Sequence, residues 1–553
     1  MSHEEATTVR FRAEAPEAEG PVTLGQDNML RCLRNETPSR ERNEPSSLNK
    51  QASWIVPEHA DLPGCLAALR TLAERHAALR TVFPAAGEQL PTTQRQLREG
   101  EFTVDVIALD PDEDAAARGD AYCWDRRCVP FDLAADFPLR FGLLTRDGRP
   151  VLLAVVVSHA QLDGVATGLL FQEWMALASG AELPPPAGPT PIEVAEQERS
   201  TGGQRRARAA LRHWERILNE EPSAVFTDDR VRSGDILLHT LAVRSPFGAA
   251  ALERAVRRTG SSKSAVLLAC YAVLAAHRAA RPTVVMAALS ANRHRSALAE
   301  HIGTLAQDAL LVLDTDCPDL DTLIGRTQAQ ALSGYWHATF ETEQLWRILD
   351  EASIGRGARF VRDVVLNDVS GTVPEEIAAL RPDPPVDPEL TWYPTEPLPT
   401  RLMINIWRTG TCLEISLHAH PDVLDREETE QFARALLRLI DLAGQRPVAL
   451  GPDGELAALS GLPVGRREKG RWQQVGSNWV DLDVVADRVR AVLGVKDVEV
   501  TFEGGELTAT VPAGCELSPA EAHAAIVADL SWRDTVMAPQ RYVLPAGTGT
   551  GRD

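Results

Sequence analysis

The chain has 553 residues, of which 44% are hydrophobic and 24% charged, and its net charge is −21. This length is enough for roughly two to four domains with large cores, and the acidic balance argues against nucleic acid and anionic membrane surfaces as partners. No apolar run is long enough to span a bilayer, and the N-terminal sequence lacks the apolar region of a secretory signal, so we expect a cytoplasmic protein.

Eight cysteines are spread thinly along the chain, and none forms a Cys-x-x-Cys pair. Their spacing matches neither a zinc site nor the disulfide framework of a small secreted domain. We therefore expect buried free thiols in a reduced protein and no bound metal.

The first part of the chain is predicted to form a lobe of strands and helices over residues 21–180, after a polar, flexible lead over residues 1–20. Apolar residues recur at helical spacing in two stretches, and short alternating or apolar runs indicate strands beside them. In chain order, the pattern predicts a helix at 24–33, a strand at 52–57, a helix at 61–83 and a strand at 101–109.

A hairpin of two apolar strands is predicted at 137–160, joined by Asp147 and Gly148. This dipeptide favours the positive backbone angles of a tight two-residue turn. The second strand, Val151–Val157, is apolar on both faces, which is typical of a central, buried strand. A helix over Val165–Ala178 is predicted to follow it.

A link over residues 181–225 is predicted to join this lobe to a second α/β lobe over residues 226–450. The link has a proline-rich stretch at 181–191 and a long arginine-rich helix at about 194–219. The second lobe repeats the mixture of strands and helices. Its predicted elements are a strand at 236–243, a helix at 261–280, strands at 283–289, 364–369 and within 401–420, and a helix at 426–444.

A linker at 451–470 is predicted to precede a small α+β domain over residues 471–553. This domain has a helix, a pair of short strands and a second helix, in that order. The second helix opens with Ser518, Pro519 and Glu521, which match the N-cap, first-turn proline and capping-box positions of a helix start.

The candidate site is the stretch between the buried strand and its helix, with Ser158 and His159 after the strand and Asp163 and Gly164 before the helix. A histidine titrates near neutral pH and can accept or relay a proton. Asp163 could orient the imidazole or turn away to pair with an arginine. Gly164 could adopt a backbone conformation that is closed to other residues, and it would allow a ligand to approach the backbone closely. Free N–H groups at the helix start could stabilise an oxyanion. A structural histidine in an ordinary turn stays open as the alternative.

Several blocks of the sequence resemble the condensation domains of nonribosomal peptide synthetases, within the chloramphenicol-acetyltransferase-like superfamily. The stretch SHAQLDG at 158–164 stands where that family has HHxxxDG. Other blocks follow the family's order over about residues 22–445: RHAALRTVF at 75–83, VPFDLAADFPLRFGLL at 129–144, LRHWERIL at 211–218, ANRHRSALAEHIGTLAQDALL at 291–311 and DVVLND at 363–368.

The resemblance implies two chloramphenicol-acetyltransferase-like lobes in a V arrangement, with the active site in a tunnel between them. In that family an amine or hydroxyl attacks a thioester held by a carrier protein. By the resemblance, His159 would act as base or position the nucleophile. Asp163 would pair with an arginine, for which Arg293 is the first candidate and Arg80 the second. Asn292, beside Arg293 in the same block, is a further supporting residue.

Two features depart from the family pattern. Ser158 replaces the first histidine of the motif, which is usually structural, and a serine can still hydrogen-bond nearby backbone. The stretch TPIEVAEQE at 190–198 stands where the family has a tyrosine-containing block before the linker helix. We expect activity to be retained in spite of these changes.

The C-terminal domain resembles the small C-terminal subdomain of adenylate-forming enzymes through VDLDVVADRVRAVLGVKDVEV, ELTATVP and MAPQRYVLP. That family has a lysine near the end that contacts the adenylate, whereas here no lysine follows Lys496. The large subdomain with its glycine-rich phosphate loop is also absent. The comparison therefore implies no ATP-dependent activation, and a unit reused for packing or docking.

Together these observations predict a free-standing condensation enzyme that joins an acyl group on the phosphopantetheine arm of a carrier protein to an amine or alcohol in natural-product biosynthesis. The carrier protein would bind in trans, since no carrier motif is evident, and the acceptor would be a small molecule or a second carrier-bound group. No bound cofactor is expected. Two alternatives stay open: an acyltransferase of the same superfamily that uses coenzyme A, and a non-catalytic domain that recruits carrier proteins or another enzyme.

Overall fold

The structure is a computed structural model, and it describes most of the chain around three main hydrophobic cores. One core lies in the first part of the chain, a larger one in the second, and a small one near the C-terminus. Sheets and helices surround each core, so the predicted mixed α/β class is confirmed. The described residues are 4–35, 46, 48–84, 89–231, 237–372, 387–451, 454–512, 514–531 and 534–544.

The first lobe contains two sheets with helices on both faces of the larger one. In chain order its elements are β1 (Glu4–Arg12), β2 (Ala18–Pro21), α1 (Leu24–Asn35), β3 (Lys50–Ile55), α2 (Leu62–Arg75), a 3-10 turn (Ala77–Arg80), β4 (Thr81–Val82), β5 (Thr93–Gln96), β6 (Glu99–Ala108), α3 (Ala115–Arg127), β7 (Leu139–Arg146), β8 (Arg149–Val157) and α4 (Gly164–Ala178).

The larger sheet has the strand order β1-β6-β7-β8-β3 and buries β8 on both faces. Val155 and Val157 contact the core shared with α2 and α4, while Val156 contacts a core beside α3. The turn between β7 and β8 has positive φ at Asp147 (51°) and Gly148 (74°), which confirms the predicted hairpin. The site histidine therefore follows a rigid, interior strand.

The N-terminal residues form a strand, so the expected flexible lead over residues 1–20 was wrong for the described part of it. β1 pairs antiparallel with β6 along its whole length. Val9 and Phe11 are buried in the core of the lobe, whereas Thr8 and Arg10 are exposed. This period-two alternation is a strand signal, and the charged residues on both sides of it obscured it.

Two helices and the second lobe follow in the chain. In order, the elements are α5 (Pro191–Arg199), α6 (Thr201–Glu220), β9 (Leu237–Ser245), α7 (Pro246–Thr259), α8 (Lys263–Ala279), β10 (Thr283–Ser290), a 3-10 turn (Ser296–Leu298), β11 (Gln307–Asp314), α9 (Leu320–Trp336), α10 (Thr342–Arg356), β12 (Val364–Asp368), β13 (Glu389–Pro397), β14 (Leu402–Thr409), β15 (Leu413–Ala419), α11 (Arg426–Ala443) and α12 (Leu456–Ser460).

The arginine-rich segment is two helices, so the single helix predicted over about 194–219 was wrong. Ser200 has an extended backbone between α5 and α6, and its hydroxyl accepts a hydrogen bond from Gly203 N–H as the N-cap of α6. A serine whose side chain caps one helix ends the previous one at the same place.

The second lobe is built on a seven-stranded sheet with the order β11-β10-β12-β14-β15-β9-β13. α8 lies in the main core and is buried around almost its whole circumference. On the opposite face, Trp214 of α6 packs with Leu310 of β11 and with Phe340. Among the described residues no single helix has the length and hydropathy of a membrane span, and the pair α7 and α8, which reaches them jointly, is bent by 102°.

The C-terminal part of the chain is a small α+β unit with its own core. Two strands pair in one small sheet, and three strands form another in the order β18-β19-β20. The predicted capping box at the start of its last helix is present. Its elements are β16 (Trp472–Val475), β17 (Asn478–Asp481), α13 (Leu482–Leu493), β18 (Glu499–Glu503), β19 (Glu506–Thr510), α14 (Pro519–Asp529) and β20 (Arg541–Val543).

This small unit is fixed to the second lobe by hydrogen bonds that involve the backbone. The side-chain oxygen of Asn478 accepts from the backbone N–H of Ser223 (2.8 Å), and the N–H of Ala538 donates to the carbonyl of Gly357 (2.6 Å). Asp229 accepts from two backbone N–H groups of the connecting segment. The unit therefore sits against the lobe through specific polar contacts.

Candidate active site

The turn after β8 is closed by backbone hydrogen bonds and leads directly into α4. The carbonyl of Ser158 accepts from the N–H groups of Gln161 (3.3 Å) and Leu162 (3.2 Å). Asp163 then caps α4, because its Oδ1 accepts a hydrogen bond from Ala166 N–H (3.0 Å). The short turn thus holds the histidine at the end of a buried strand and at the start of a capped helix.

His159 is held in one tautomer, with one ring nitrogen left available. Its Nδ1 lies 3.0 Å from the carbonyl oxygen of Leu162, which can only accept, so Nδ1 carries the proton. Nε2 makes no hydrogen bond to any residue that the structure describes, and 8% of the surface of His159 is exposed. Asn49 accepts from the His159 backbone N–H (3.1 Å), and Thr304 donates to its carbonyl (2.7 Å).

The imidazole of His159 is neutral at pH 7. Burial lowers its pKa to about 4, and the charge of Lys50 adds to the lowering. The Asp163 carboxylate and the hydrogen bond to Leu162 act in the opposite direction with smaller effect. A neutral imidazole with a free Nε2 lone pair can accept a proton from a bound group.

Asp163 turns away from the histidine and pairs with an arginine of the second lobe. Its Oδ2 accepts from Arg293 Nη1 (2.7 Å) and from the backbone N–H of Leu305 (3.0 Å). Both charged side chains are buried, with 2% and 7% of their surfaces exposed. Burial raises the pKa of Asp163, but the Arg293 charge and the hydrogen bonds outweigh it and lower the pKa overall. Asp163 therefore stabilises the contact between the lobes and caps α4, and its carboxylate is directed away from the imidazole.

The loop 291–305 after β10 carries the arginine to this pair. Arg293 also donates to the carbonyls of His301 (3.2 Å) and Gly303 (2.9 Å), which fixes the loop around the guanidinium. Asn292 has a left-handed backbone (φ 53°), and its Nδ2 donates to the carbonyl of Leu305 (2.9 Å). The hydrogen bonds of Arg293 and Asn292 therefore hold the loop in the conformation in which it contacts the site turn.

Arg80 does not reach the site, in contrast to its place as the second candidate partner of Asp163. It is buried in the first lobe, where its guanidinium donates to the carbonyls of Ala73 (2.9 Å) and Leu97. Burial lowers the pKa of Arg80. Its contacts join α2 to the strand region that follows, so its observed role is to hold the lobe together.

Ser158 lies inside the turn, and its side chain is in contact with the turn itself. It is fully buried, and its hydroxyl donates to Oε1 of Gln161. Gln161 in turn approaches the carbonyl of Thr81 through Nε2 (3.4 Å). The serine thus supports the turn through a buried polar contact.

Gly164 does not have the special backbone that the sequence suggested. Its φ lies outside the left-handed region, and an added Cβ would lie 3.8 Å from Thr372 Oγ1, an ordinary contact. The glycine that the packing requires is Gly168, one turn further along α4. A Cβ there would lie 2.4 Å from the carbonyl oxygen of Thr372, in the segment after β12. Sequence reasoning missed Gly168, since its partner is distant in the chain.

The helix start offers two candidate donors to a developing negative charge. The N–H of Ala166 is taken by Asp163, whereas those of Gly164 and Val165 make no hydrogen bond within the described residues. Gly164 is exposed, so a substrate oxygen could reach this end of α4. In the same described part of the chain, no three His, Cys, Asp or Glu side chains converge as a metal site would require.

The family model described as "Condensation domain" matches residues 39–451, which is most of the chain and includes both halves of the site. Its range covers the site turn on the first lobe and the loop 291–305 on the second.

A curated relative and two solved structures show the same likeness. Phosphinothricin tripeptide synthetase PhsC from Streptomyces viridochromogenes is 29% identical over 358 residues, which are 62% of this chain and 32% of that protein. The condensation domain from Monacolin K polyketide synthase MokA superimposes with a TM-score of 0.61 at 17% identity, covering 79% of this chain and all of the other. The X-domain in its complex with OxyB from teicoplanin biosynthesis gives a TM-score of 0.56 at 21% identity, covering 78% and 95%.

The chain thus spans about a third of the length of the synthetase that it matches. The solved structures share its fold at low sequence identity. Among their descriptions, condensation domains of natural-product synthetases recur. The predicted fold and the predicted family are therefore confirmed, while the roles of individual site residues stay predictions.

Proposed function

The chain belongs to the condensation domain family, and we propose that it transfers an acyl group from the phosphopantetheine thioester of a carrier protein to an amine or alcohol. The observation that supports this most is the state of His159. Its Nδ1 is occupied by the carbonyl of Leu162, so that a neutral Nε2 is left for the nucleophile. An imidazole in this state suits proton removal at neutral pH.

The transfer would begin with the acceptor N–H or O–H hydrogen-bonded to Nε2 of His159. The acceptor attacks the thioester carbonyl, and the new C–N or C–O bond forms as the carbonyl oxygen becomes an oxyanion. Attack makes the acceptor proton far more acidic, and Nε2 accepts it. The C–S bond then breaks, and the thiolate takes the proton from His159 to leave as a thiol. General base catalysis of this kind contributes about 10²–10⁴-fold.

The low pKa of His159 defines how it acts. With a pKa of about 4, the imidazole is a weak base, and it would not remove a proton from a free ammonium group. It would hold a neutral acceptor through a hydrogen bond and take the proton only as the bond to carbon forms. Positioning of the nucleophile is then as much its task as proton transfer.

The oxyanion would lie near the start of α4. The free N–H groups of Gly164 and Val165 are donors at the positive end of the helix, where developing negative charge is stabilised. Asp163 and Arg293 would be positioning residues, because their pair ties the start of α4 to the second lobe. Neither side chain would touch the reacting atoms.

The test is an intact-mass measurement of acyl transfer from three donors to a panel of amines and alcohols. The donors are an acyl carrier protein with a loaded phosphopantetheine arm, the same acyl group on coenzyme A, and the acyl group on free pantetheine. We expect product from the carrier-bound donor at the highest rate. Faster turnover of the coenzyme A donor would favour the soluble-thioester alternative.

A non-catalytic recruitment domain is a second candidate. Ser158 in place of the family's first histidine, together with the small unit fixed against the second lobe, favours this alternative. It predicts that the loaded carrier protein binds without any transfer to any acceptor in the panel. Turnover that depends on His159 would exclude it.

A further inference from the structure

A cavity lies behind the candidate site, between α5, α6, the loop 291–305 and the end of α9. It is a small cavity, open to solvent, with a volume of about 40 Å³. The proposed transfer step uses none of the charged groups in its wall. The side chains that line it include Glu198, Arg206, Asn292, His294, Arg295 and Trp336.

Two arginines in this cavity make no ion pair with an acidic side chain among the described residues. Neither Arg206 nor Arg295 makes an ion pair or a side-chain hydrogen bond within the residues that the structure describes. The neighbouring Arg199 and Arg293, by contrast, both donate to oxygen atoms of the protein. In a chain whose net charge is −21, a pair of unneutralised arginines in a concave site indicates a place for an anion.

The basic groups of the cavity lie close enough to repel one another. Burial lowers the pKa of His294, and the charges of Arg295 and Arg206 lower it further. Burial also lowers the pKa of Arg206, and Arg295 and Arg205 add to this lowering, while the charge of Glu198 opposes it with smaller effect. An anion bound between these groups would relieve the repulsion.

Glu198 is compatible with an anion in the same cavity. Its Oε2 accepts a hydrogen bond from the backbone N–H of Leu24 (2.8 Å). Burial raises the pKa of Glu198 to about 7, although this hydrogen bond and nearby arginines oppose the rise. A large fraction of the carboxyl group is therefore protonated at neutral pH, and a protonated carboxyl can donate to a bound oxyanion.

The cavity also offers a flat apolar surface and a direct link to the site. Trp336 is 63% exposed, and its ring centre lies 5.2 Å from that of His294. Leu305 lines the cavity with its side chain, while its backbone N–H donates to Asp163 (3.0 Å). A ligand in the cavity would thus contact the residue that also holds the site turn.

We propose that this cavity binds a phosphate ester, with Arg206 and Arg295 as ligands of the phosphate and Trp336 in contact with its organic part. Two guanidinium groups suit the anionic oxygens of a tetrahedral phosphoryl group, since each presents several N–H donors in a plane. The ester would come from a soluble molecule such as coenzyme A or from the phosphopantetheine arm of a carrier protein. Both sources present anionic phosphoryl oxygens, the arm as a phosphodiester and coenzyme A as its diphosphate and 3′-phosphate groups.

The test begins with calorimetric titration of inorganic pyrophosphate into the full chain. We expect binding to the native protein, and binding at least about tenfold weaker in Arg206→Gln and in Arg295→Gln, because each loses a charged hydrogen-bond donor. Arg208→Gln is the matched control, since Arg208 is an exposed residue of α6 outside the cavity. Circular dichroism checks that each variant is folded.

Two further titrations distinguish the sources of the ester. Coenzyme A is compared with pantetheine, which has no phosphate, and a carrier protein is compared with and without its arm. A loss confined to coenzyme A in the two arginine variants assigns the cavity to a soluble ester, and a loss confined to the armed carrier protein assigns it to the arm. If pyrophosphate does not bind, or binds all variants alike, the proposal is wrong.

This inference and the proposed transfer can fail separately. His159→Ala is expected to abolish transfer and to bind pyrophosphate as the native protein does. Equal pyrophosphate binding in a protein without transfer activity would leave the cavity proposal standing and overturn the proposed function. Loss of pyrophosphate binding in His159→Ala would contradict the separation of the two sites.

Discussion

The site turn 158–163 after β8 and the loop 291–305 after β10 both follow buried strands, and they meet at the pair of Asp163 and Arg293. The site turn is short and closed by its own backbone hydrogen bonds. The loop is longer and reaches across to the first lobe, where Ile302 is buried in the core around β8. The two segments depend on each other, because the buried charge of Asp163 in the turn is neutralised by that of Arg293 in the loop.

The two segments differ in the groups that they leave available. In the site turn, Ser158 and Asp163 are fully engaged, and Nε2 of His159 is the group that stays open. In the loop, Arg293 is engaged, whereas Arg295 and the exposed His294 face the cavity. We infer that the site turn presents the Nε2 lone pair of His159 for proton transfer. The loop 291–305 has two roles: Arg293 holds the lobes together, and Arg295 offers a positive charge to a ligand in the cavity.

The largest effect is expected from breaking the pair that joins the two segments. Arg293→Met leaves Asp163 buried without its counter-charge, and removing one partner of a buried pair costs about 3–5 kcal/mol. Urea unfolding followed by tryptophan fluorescence measures the loss. Arg347→Met is the control, because Arg347 pairs with Glu351 on an exposed helix face and its loss should be too small to measure.

A double variant sharpens this first prediction. Asp163→Asn combined with Arg293→Met removes both charges, so it should recover part of the stability that the single variant loses. A loss in Arg293→Met no greater than in the control would mean that the pair does not join the segments energetically.

The next largest effect is expected at Gly168. Gly168→Ala places a Cβ against the carbonyl of Thr372 and should cost about 1–3 kcal/mol as the segment after β12 shifts. Gly164→Ala is the matched control on the same helix, where the added Cβ meets only an ordinary contact. Thermal unfolding and the transfer rate are measured for both. Equal effects of the two substitutions would show that the close approach at Gly168 is unimportant.

A smaller effect is expected at Ser158. Ser158→Ala removes the buried hydrogen bond to Gln161 and should cost about 0.5–1.5 kcal/mol. Because Ser158 faces the interior of the turn, the transfer rate should fall by much less than in a variant of His159. A loss of transfer as large as that of His159→Ala would place Ser158 in the chemistry.

The smallest effect is expected from acid, and it involves one histidine of the loop. Burial lowers the pKa of His301 to about 4, and its Nε2 is buried and makes no hydrogen bond to any described residue. Between pH 6.5 and 4 the unfolded chain therefore binds more protons at this residue than the folded chain, so stability falls as the pH falls through this range.

Replacing this histidine should make the protein less sensitive to acid. His301→Gln should shift the midpoint of acid unfolding downwards by less than about one pH unit, because other buried histidines keep their own contribution. His59→Gln, at an exposed position, should leave the midpoint unchanged. A midpoint that does not move in His301→Gln would contradict the prediction.

The sequence predicted the site turn well because its signals are local. An apolar run predicted the buried strand β8, and the Asp147-Gly148 dipeptide predicted its hairpin with β7. Asp163 stands directly before a helical pattern, where an aspartate is typical of an N-cap. The resemblance to a family then indicated that Arg293, on the other lobe, is the partner of Asp163.

Other features depend on partners that are remote in the chain. Thr304 supports His159, and Thr372 requires Gly168, yet no local pattern relates either member of these pairs to the other. The cavity is likewise formed by segments that are far apart in the chain, namely the helices α5 and α6 and residues 292–339 of the second lobe. The strand β1 did have a local signal in Val9 and Phe11, and the charged residues around it led to the wrong prediction.

The most direct measurement of the central claim is acyl transfer from a loaded carrier protein in the native protein and in His159→Ala, followed by intact mass. We predict that the native protein forms product and that the variant is slower by about 10²–10⁴-fold, because it lacks the Nε2 lone pair. Binding of the carrier protein should be the same in both. Equal rates in the two proteins would contradict the claim that His159 carries the chemistry.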